Sequence, residues 1–251
     1  YGGPTGLAVL ALLNCDGVID DAALEKRRKA AIQQGLANLR TIQSPKVYVR
    51  SLQTMALAEA KSDLGIVKAN VQWLLDARVY RDKKFIGWGY EKRAEASESD
   101  PSNSQYAMLA LWYAQQAGIK IDRKVWEEIR DYYATSQDKD GSWTYYQYYG
   151  PNDEKGRAWI TKAIAGLCGL LIADQERLGG REKWTGAQAT SCGQYDEVGN
   201  TAKAQQWLAK HFTIEGTKAR AYYHLYGIER AGRLSGMRFF GEHDWYREGC
   251  E

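Results

Sequence analysis

At 251 residues, 44% of them hydrophobic, the chain is long enough to bury a large core within a single domain spanning 1–251. Its 34 basic residues nearly balance 31 acidic ones, giving a net charge of +3 with no charged tail, which argues against a nucleic-acid or membrane-surface partner. The longest apolar runs, such as Ala163 to Ala173, are about half of the ~20 residues needed to cross a bilayer, so no transmembrane segment is expected.

In chain order, apolar segments of helical period run from Leu7 to Leu13, Val47 to Ala60, Tyr106 to Ala117, Trp159 to Ala173 and Ala219 to Ala231. Each carries a small residue followed by an aliphatic one, at Ala11, Ala56, Ala110, Gly166 and Gly227. That recurrence is a repeat of helix pairs rather than of single helices. More polar helices are expected between them, over Asp21 to Leu39, Gly65 to Ala77, Asp122 to Ser136 and Thr201 to Phe212. All four prolines, Pro4, Pro45, Pro101 and Pro151, stand before or at the start of an apolar segment, where a fixed φ and a missing N–H are tolerated. Glycines at Gly17, Gly65, Gly118 and Gly232 read as turns beside helix ends. No strand alternation of convincing length appears. The pattern predicts an all-α protein in which about five apolar inner helices are wrapped by amphipathic outer ones, an α/α toroid without significant β-sheet.

In such a ring the inner helices start on one side, so the loops at 78–101, 137–157 and 179–199 are expected to gather at one mouth. The N-terminus, YGGPTGLAVLALLNC, lacks the basic region and methionine of a signal peptide, and Cys250 and Glu251 stop as another helix begins. The chain therefore reads as a fragment whose first partner is the remainder of its own longer protein. Cys15, Cys168, Cys192 and Cys250 form no CxxC pair, which leaves neither a zinc knuckle nor a disulfide framework, and the compartment stays open.

The segment QDKDGSW, Gln137 to Trp143, supplies the glutamine, glycine and tryptophan of the QW repeat, and Arg78 to Gly89 is a degenerate copy without the glutamine. With the helix-pair period, this resembles the α/α toroid of terpenoid cyclases and protein prenyltransferases over nearly the whole chain. The resemblance implies a structural role for Gln137, Gly141 and Trp143, tying an outer helix end to the loop before the next inner helix. Squalene cyclases begin with an Asp-x-Asp-Asp-Thr acid. The best match here, Asp100-Pro101-Ser102-Asn103-Ser104, has serine where the acid should be, so cyclisation is not supported and no catalytic residue is assigned. Protein prenyltransferases hold zinc with Asp-x-Cys and a distant histidine. Asp100-Pro101-Ser102 again has serine in place of the thiolate, which with His224 makes a poor zinc site, and neither metal nor cofactor is expected. Ser191-Cys192-Gly193-Gln194 lacks the glutamate of the thioester motif found on related toroids.

The 17 tyrosines and 9 tryptophans against 4 phenylalanines suit a half-polar cavity. Its expected lining is Trp88, Tyr90, Asp100, Asn103, Gln105, Tyr145, Tyr222 and His224, facing an isoprenoid, glycan or peptide. Paired carboxylates at Glu98 and Asp100, Asp138 and Asp140, and Asp153 and Glu154 read as loop and capping groups. Three functions follow: a binding or assembly module without cyclase chemistry, a terpene- or prenyl-handling enzyme with atypical residues, and a carbohydrate-binding or carbohydrate-active toroid.

Overall fold

The computed structural model describes residues 2–92, 98–144, 159–178, 183–185, 188–190, 199–215 and 221–251; of 183–185 and 188–190 only the backbone is described. These residues are mostly helical and divide into two compact units, 1–121 and 122–251. The first unit holds helices α1 (Gly2–Asn14), α2 (Ala22–Thr41), α3 (Val47–Glu59) and α4 (Leu64–Asp76), the hairpin β1 (Arg78–Arg81) and β2 (Lys84–Trp88), and helix α5 (Pro101–Gln116). The second holds α6 (Arg123–Thr135), α7 (Ile160–Leu178), the hairpin β3 (Lys183–Thr185) and β4 (Gln188–Thr190), α8 (Gly199–His211), α9 (Ala221–Ser235), the short pair β5 (Phe239–Phe240) and β6 (His243–Asp244), and α10 (Trp245–Cys250). None of the described helices is long and apolar enough to cross a membrane.

Aspartates set the helix starts. Asp21, Asp100, Asp122 and Asp244 each accept a hydrogen bond from a backbone N–H in the first turn that follows, satisfying a donor the helix itself cannot. Pro101 occupies the first position of α5.

In the first unit α3 lies between α1 and α5, with α2 against α1 and α3, and α4 against α3 and α5. The apolar segments thus pack side by side and the more polar helices lie behind them. Helix α3 buries every residue from Ser51 to Ala58, and burying a side chain such as Leu52, Met55 or Leu57 contributes about 1.5–3 kcal/mol. Apart from the Ser51 hydroxyl, which has no hydrogen-bond partner, the polar side chains of that interior are linked in a chain. Gln53 donates to the carbonyls of Leu39 (2.6 Å) and Ile42 (3.0 Å), Asn70 donates to Gln53 (2.9 Å), and Arg50 donates to Asn70 (2.6 Å) and to the Ser44 carbonyl (2.8 Å). This network fastens the connection before α3 to both α3 and α4. Removing one member would leave its neighbours buried and unsatisfied.

In the second unit α7 is central, with α6, α8 and α9 packed on it and α10 packed on α9. Helix α7 buries eleven residues, among them Ile164, Leu167, Cys168, Leu170 and Ile172.

Several expectations need correction. The 78–101 segment contains a β-hairpin where a loop was expected. Its turn residues, Asp82 and Lys83, both adopt positive φ (49° and 63°) without the Asn-Gly or Gly that usually announces such a turn. Of the 179–199 segment, also expected as a loop, the described backbone at Lys183–Thr185 and Gln188–Thr190 pairs as an antiparallel hairpin. Gly65 sits in the first turn of α4, and the turn before it is made by Lys61 and Asp63 at φ 48° and 51°. Gly232 lies inside α9, where the missing side chain makes room for the Trp245 ring.

Candidate functional site

The start of α5 carries three of the residues singled out in the sequence, Asp100, Asn103 and Gln105. Asp100 is 3% exposed; its Oδ1 accepts from the backbone N–H of Asn103 (2.8 Å) and from the Asn103 side-chain amide (2.9 Å). Its own N–H donates to the Trp88 carbonyl (2.8 Å). The Ser104 hydroxyl donates to the Asp100 carbonyl (2.9 Å) and accepts from the Trp88 N–H (2.9 Å). These bonds fasten the end of β2 to the first turn of α5. In these contacts the Asp100 side chain accepts through Oδ1, which is the role of a helix cap. Asn103 and Gln105 are buried beside it in sequence, and the Asn103 Oδ1 has no hydrogen-bond partner.

Trp88 is fully enclosed. Its indole N–H donates to the Leu74 carbonyl in the last turn of α4 (2.7 Å), and its ring meets Phe85 edge-on at 4.9 Å. Tyr90 is different: its ring is 66% exposed, while its carbonyl accepts from Val47 N–H at the start of α3 (2.9 Å).

The QDKDGSW loop follows α6 in the second unit. The Gln137 amide donates to the carbonyls of Gly141 (3.1 Å) and Asn200 (2.9 Å), and Asn200 Nδ2 donates back to Gln137 Oε1 (2.6 Å). Trp143 donates its indole N–H to the Tyr133 carbonyl (3.0 Å) and lies across Gly166 of α7, where a methyl group would overlap the ring. Gly141, at φ 97°, passes so close to the Lys203 backbone that a side chain has no room. The loop therefore joins α6, α7 and the first turn of α8.

The two tryptophans occupy equivalent places. Leu74 and Tyr133 are each two residues before the end of a 13-residue helix, and the backbone carbonyl of each accepts from the indole N–H of the tryptophan that follows. In the first unit Arg78 donates Nε to the Leu75 carbonyl near the end of α4 (2.9 Å).

Asp138 and Asp140 in the same loop diverge. Burial, reinforced by the charge of Asp140, raises the Asp138 carboxyl above its ordinary value. Burial acts on Asp140 in the same sense, but hydrogen bonds from the Ser142 hydroxyl and N–H and from the Trp207 indole outweigh it and hold the carboxyl low.

His224 is buried, and its Nε2 lies 2.6 Å from the Thr213 carbonyl, so Nε2 carries the proton. Tyr222, two residues earlier, is 89% exposed and stands on the surface. Asp100, Asn103, Gln105, Trp88 and Tyr90 belong to the first unit, and Tyr222 and His224 to the second. Tyr145, Asp153, Glu154 and Cys192 lie outside the described residues.

Three polar groups, two of them buried, have settings that the sequence reading did not give. Asn200 is the partner of Gln137, and a Gly-Asn-Thr helix start is its only sequence signal. Arg230 is buried and stacks over Tyr226, 3.9 Å from the ring centre. Cys168 is fully enclosed, and burial pushes its thiol up to about 11, with the Arg230 charge acting in the opposite sense. Among the described residues, no three or more His, Cys, Asp or Glu side chains come together as a metal-ligating group. Compared with protein-family models, curated proteins and solved structures, the chain has no significant match.

Proposed function

We propose that this chain is an α/α toroid of the terpenoid cyclase and prenyltransferase type, used as a binding or assembly module without cyclase chemistry. Helices α1, α3, α5, α7 and α9 are its inner set, and α2, α4, α6 and α8 its outer set. The alternation of packing inside each unit and the paired indole contacts at the ends of α4 and α6 support this architecture.

The observation that carries the functional half is the state of Asp100. At the place where a cyclase needs a carboxylic acid aimed at an alkene, this carboxyl is buried and accepts two N–H hydrogen bonds, while Ser102 stands at the acid position. A hydroxyl is far too weak an acid to protonate a carbon–carbon double bond. The test is thermal unfolding of the full chain with squalene, farnesyl diphosphate or geranylgeranyl diphosphate. No rise in midpoint is expected. A rise of several degrees with saturable dependence on an isoprenoid would overturn the reading, because a ligand that binds only the folded state must stabilise it.

A further inference from the structure

Two short stretches each hold four basic residues and one acidic one, Glu25 to Lys29 and Arg78 to Lys84. In the first, Arg28 pairs with Asp16 and Glu25 and Lys29 with Glu25, so half of its positive charge is answered. Arg81, Lys83 and Lys84 are exposed on the β1–β2 hairpin, and the Tyr80 ring beside them is 40% exposed. Among the described residues, neither Lys83 nor Lys84 is paired with a carboxylate.

The tip has a fixed shape. Asp82 and Lys83 form its turn with positive φ, a conformation that costs an L-residue about 1–2 kcal/mol and that glycine would adopt freely. Charged side chains are kept where a cheaper turn would remove them. Behind the tip, Tyr80 meets Phe85 at 5.9 Å, Phe85 meets Trp88 at 4.9 Å, and Trp88 is bonded to α4. The Arg78 guanidinium lies over Tyr80 at 5.6 Å. Cations presented on a braced hairpin lose little freedom when they bind, which favours a specific contact.

We propose that the β1–β2 hairpin docks an acidic peptide segment; this names a partner for the binding module proposed above and rests on that reading. Asp82 at the tip interrupts the positive field, while Asp76 before β1 is already paired with Lys92 (3.0 Å). Continuous polyanions and anionic bilayers draw on extended basic faces, and such an interruption repels them. A peptide brings separated carboxylates that fit on either side of Asp82, each reaching a guanidinium or ammonium.

The test uses the full chain and a fluorescein-labelled peptide of about ten residues with alternating Glu and Ala, read by fluorescence anisotropy. Lys83→Gln with Lys84→Gln is expected to weaken binding about tenfold, and the same charge loss on α2, Lys26→Gln with Arg27→Gln, less than about twofold. Circular dichroism checks that both variants are folded. Equal losses in the two variants, or no binding by the unaltered chain, would overturn the proposal. So would a preference for phosphatidylserine-containing vesicles or an oligothymidine strand over the peptide. Conversion of an isoprenoid by the unaltered chain would remove the module reading whatever the hairpin does; lost peptide selectivity without conversion removes only the hairpin assignment.

Discussion

Trp143 and Gly166 make a pair whose energetics follow from their contact. Trp143→Ala deletes a buried indole and the hydrogen bond it donates to the Tyr133 carbonyl. Large-to-small changes of this kind cost about 3–5 kcal/mol, of which the hydrogen bond accounts for about 1 kcal/mol. Gly166→Ala in the unaltered protein drives a methyl group into the indole and is expected to cost about 1–3 kcal/mol, because α6 and α7 fix both sides of the contact. With Trp143 already replaced by alanine, the same change meets an empty space. The helix propensity of alanine over glycine then makes it neutral or stabilising by about 0.5–1 kcal/mol. The double-mutant cycle therefore predicts a coupling of about 1–4 kcal/mol, measured by guanidinium unfolding of the four proteins. Additive effects, or a neutral Gly166→Ala in the unaltered chain, would show that Trp143 does not rest on α7.

Three further outcomes are expected. Asp100→Ala should cost about 1–2 kcal/mol by chemical denaturation while Asp100→Asn retains most of the cap; equal losses would mean that the charge, and not the accepted N–H bond, matters there. Arg28 holds the Glu25 carboxyl at about 2, below its ordinary 4.5, through a 2.7 Å hydrogen bond. A lowered carboxyl stabilises the fold above 4.5, and that stability is lost as pH falls from 4.5 toward 2, so Arg28→Met should flatten an unfolding-versus-pH curve in this window. Finally, mass spectrometry after brief treatment of the native chain with iodoacetamide should find Cys250 modified and Cys168 untouched, since one is exposed and the other enclosed with its thiol pushed up to about 11; early labelling of Cys168 would contradict the packing of α7.

The helices were legible because their sequences carry the cause of their burial. A run such as Val47 to Ala60 is mostly apolar at helical period, and α3 spans Val47–Glu59. Aspartates at 21, 100 and 122 marked where helices begin, and all three are caps. The β1–β2 hairpin was not legible: its strands are four and five residues long, and the Asp82–Lys83 turn hides its left-handed backbone behind ordinary side chains. The candidate site was legible as chemistry and not as geometry. Asp100 and Trp88 were singled out as cavity residues on type and position alone, yet both are committed to joining β2, α4 and α5. Tyr222 and His224, two residues apart on α9, differ completely in exposure because a helix turns by about 100° per residue. The Gln137–Asn200 bond spans 63 residues, beyond the reach of any local pattern.

The central claim is that the start of α5 is a closed helix cap and not a reaction centre. It is tested most directly by incubating the full chain with squalene and with prenyl diphosphates and analysing the products by mass spectrometry. Unchanged substrate is the predicted result. A cyclised or prenylated product that disappears in Asp100→Asn would contradict the account, because that substitution keeps the cap and removes only the acid.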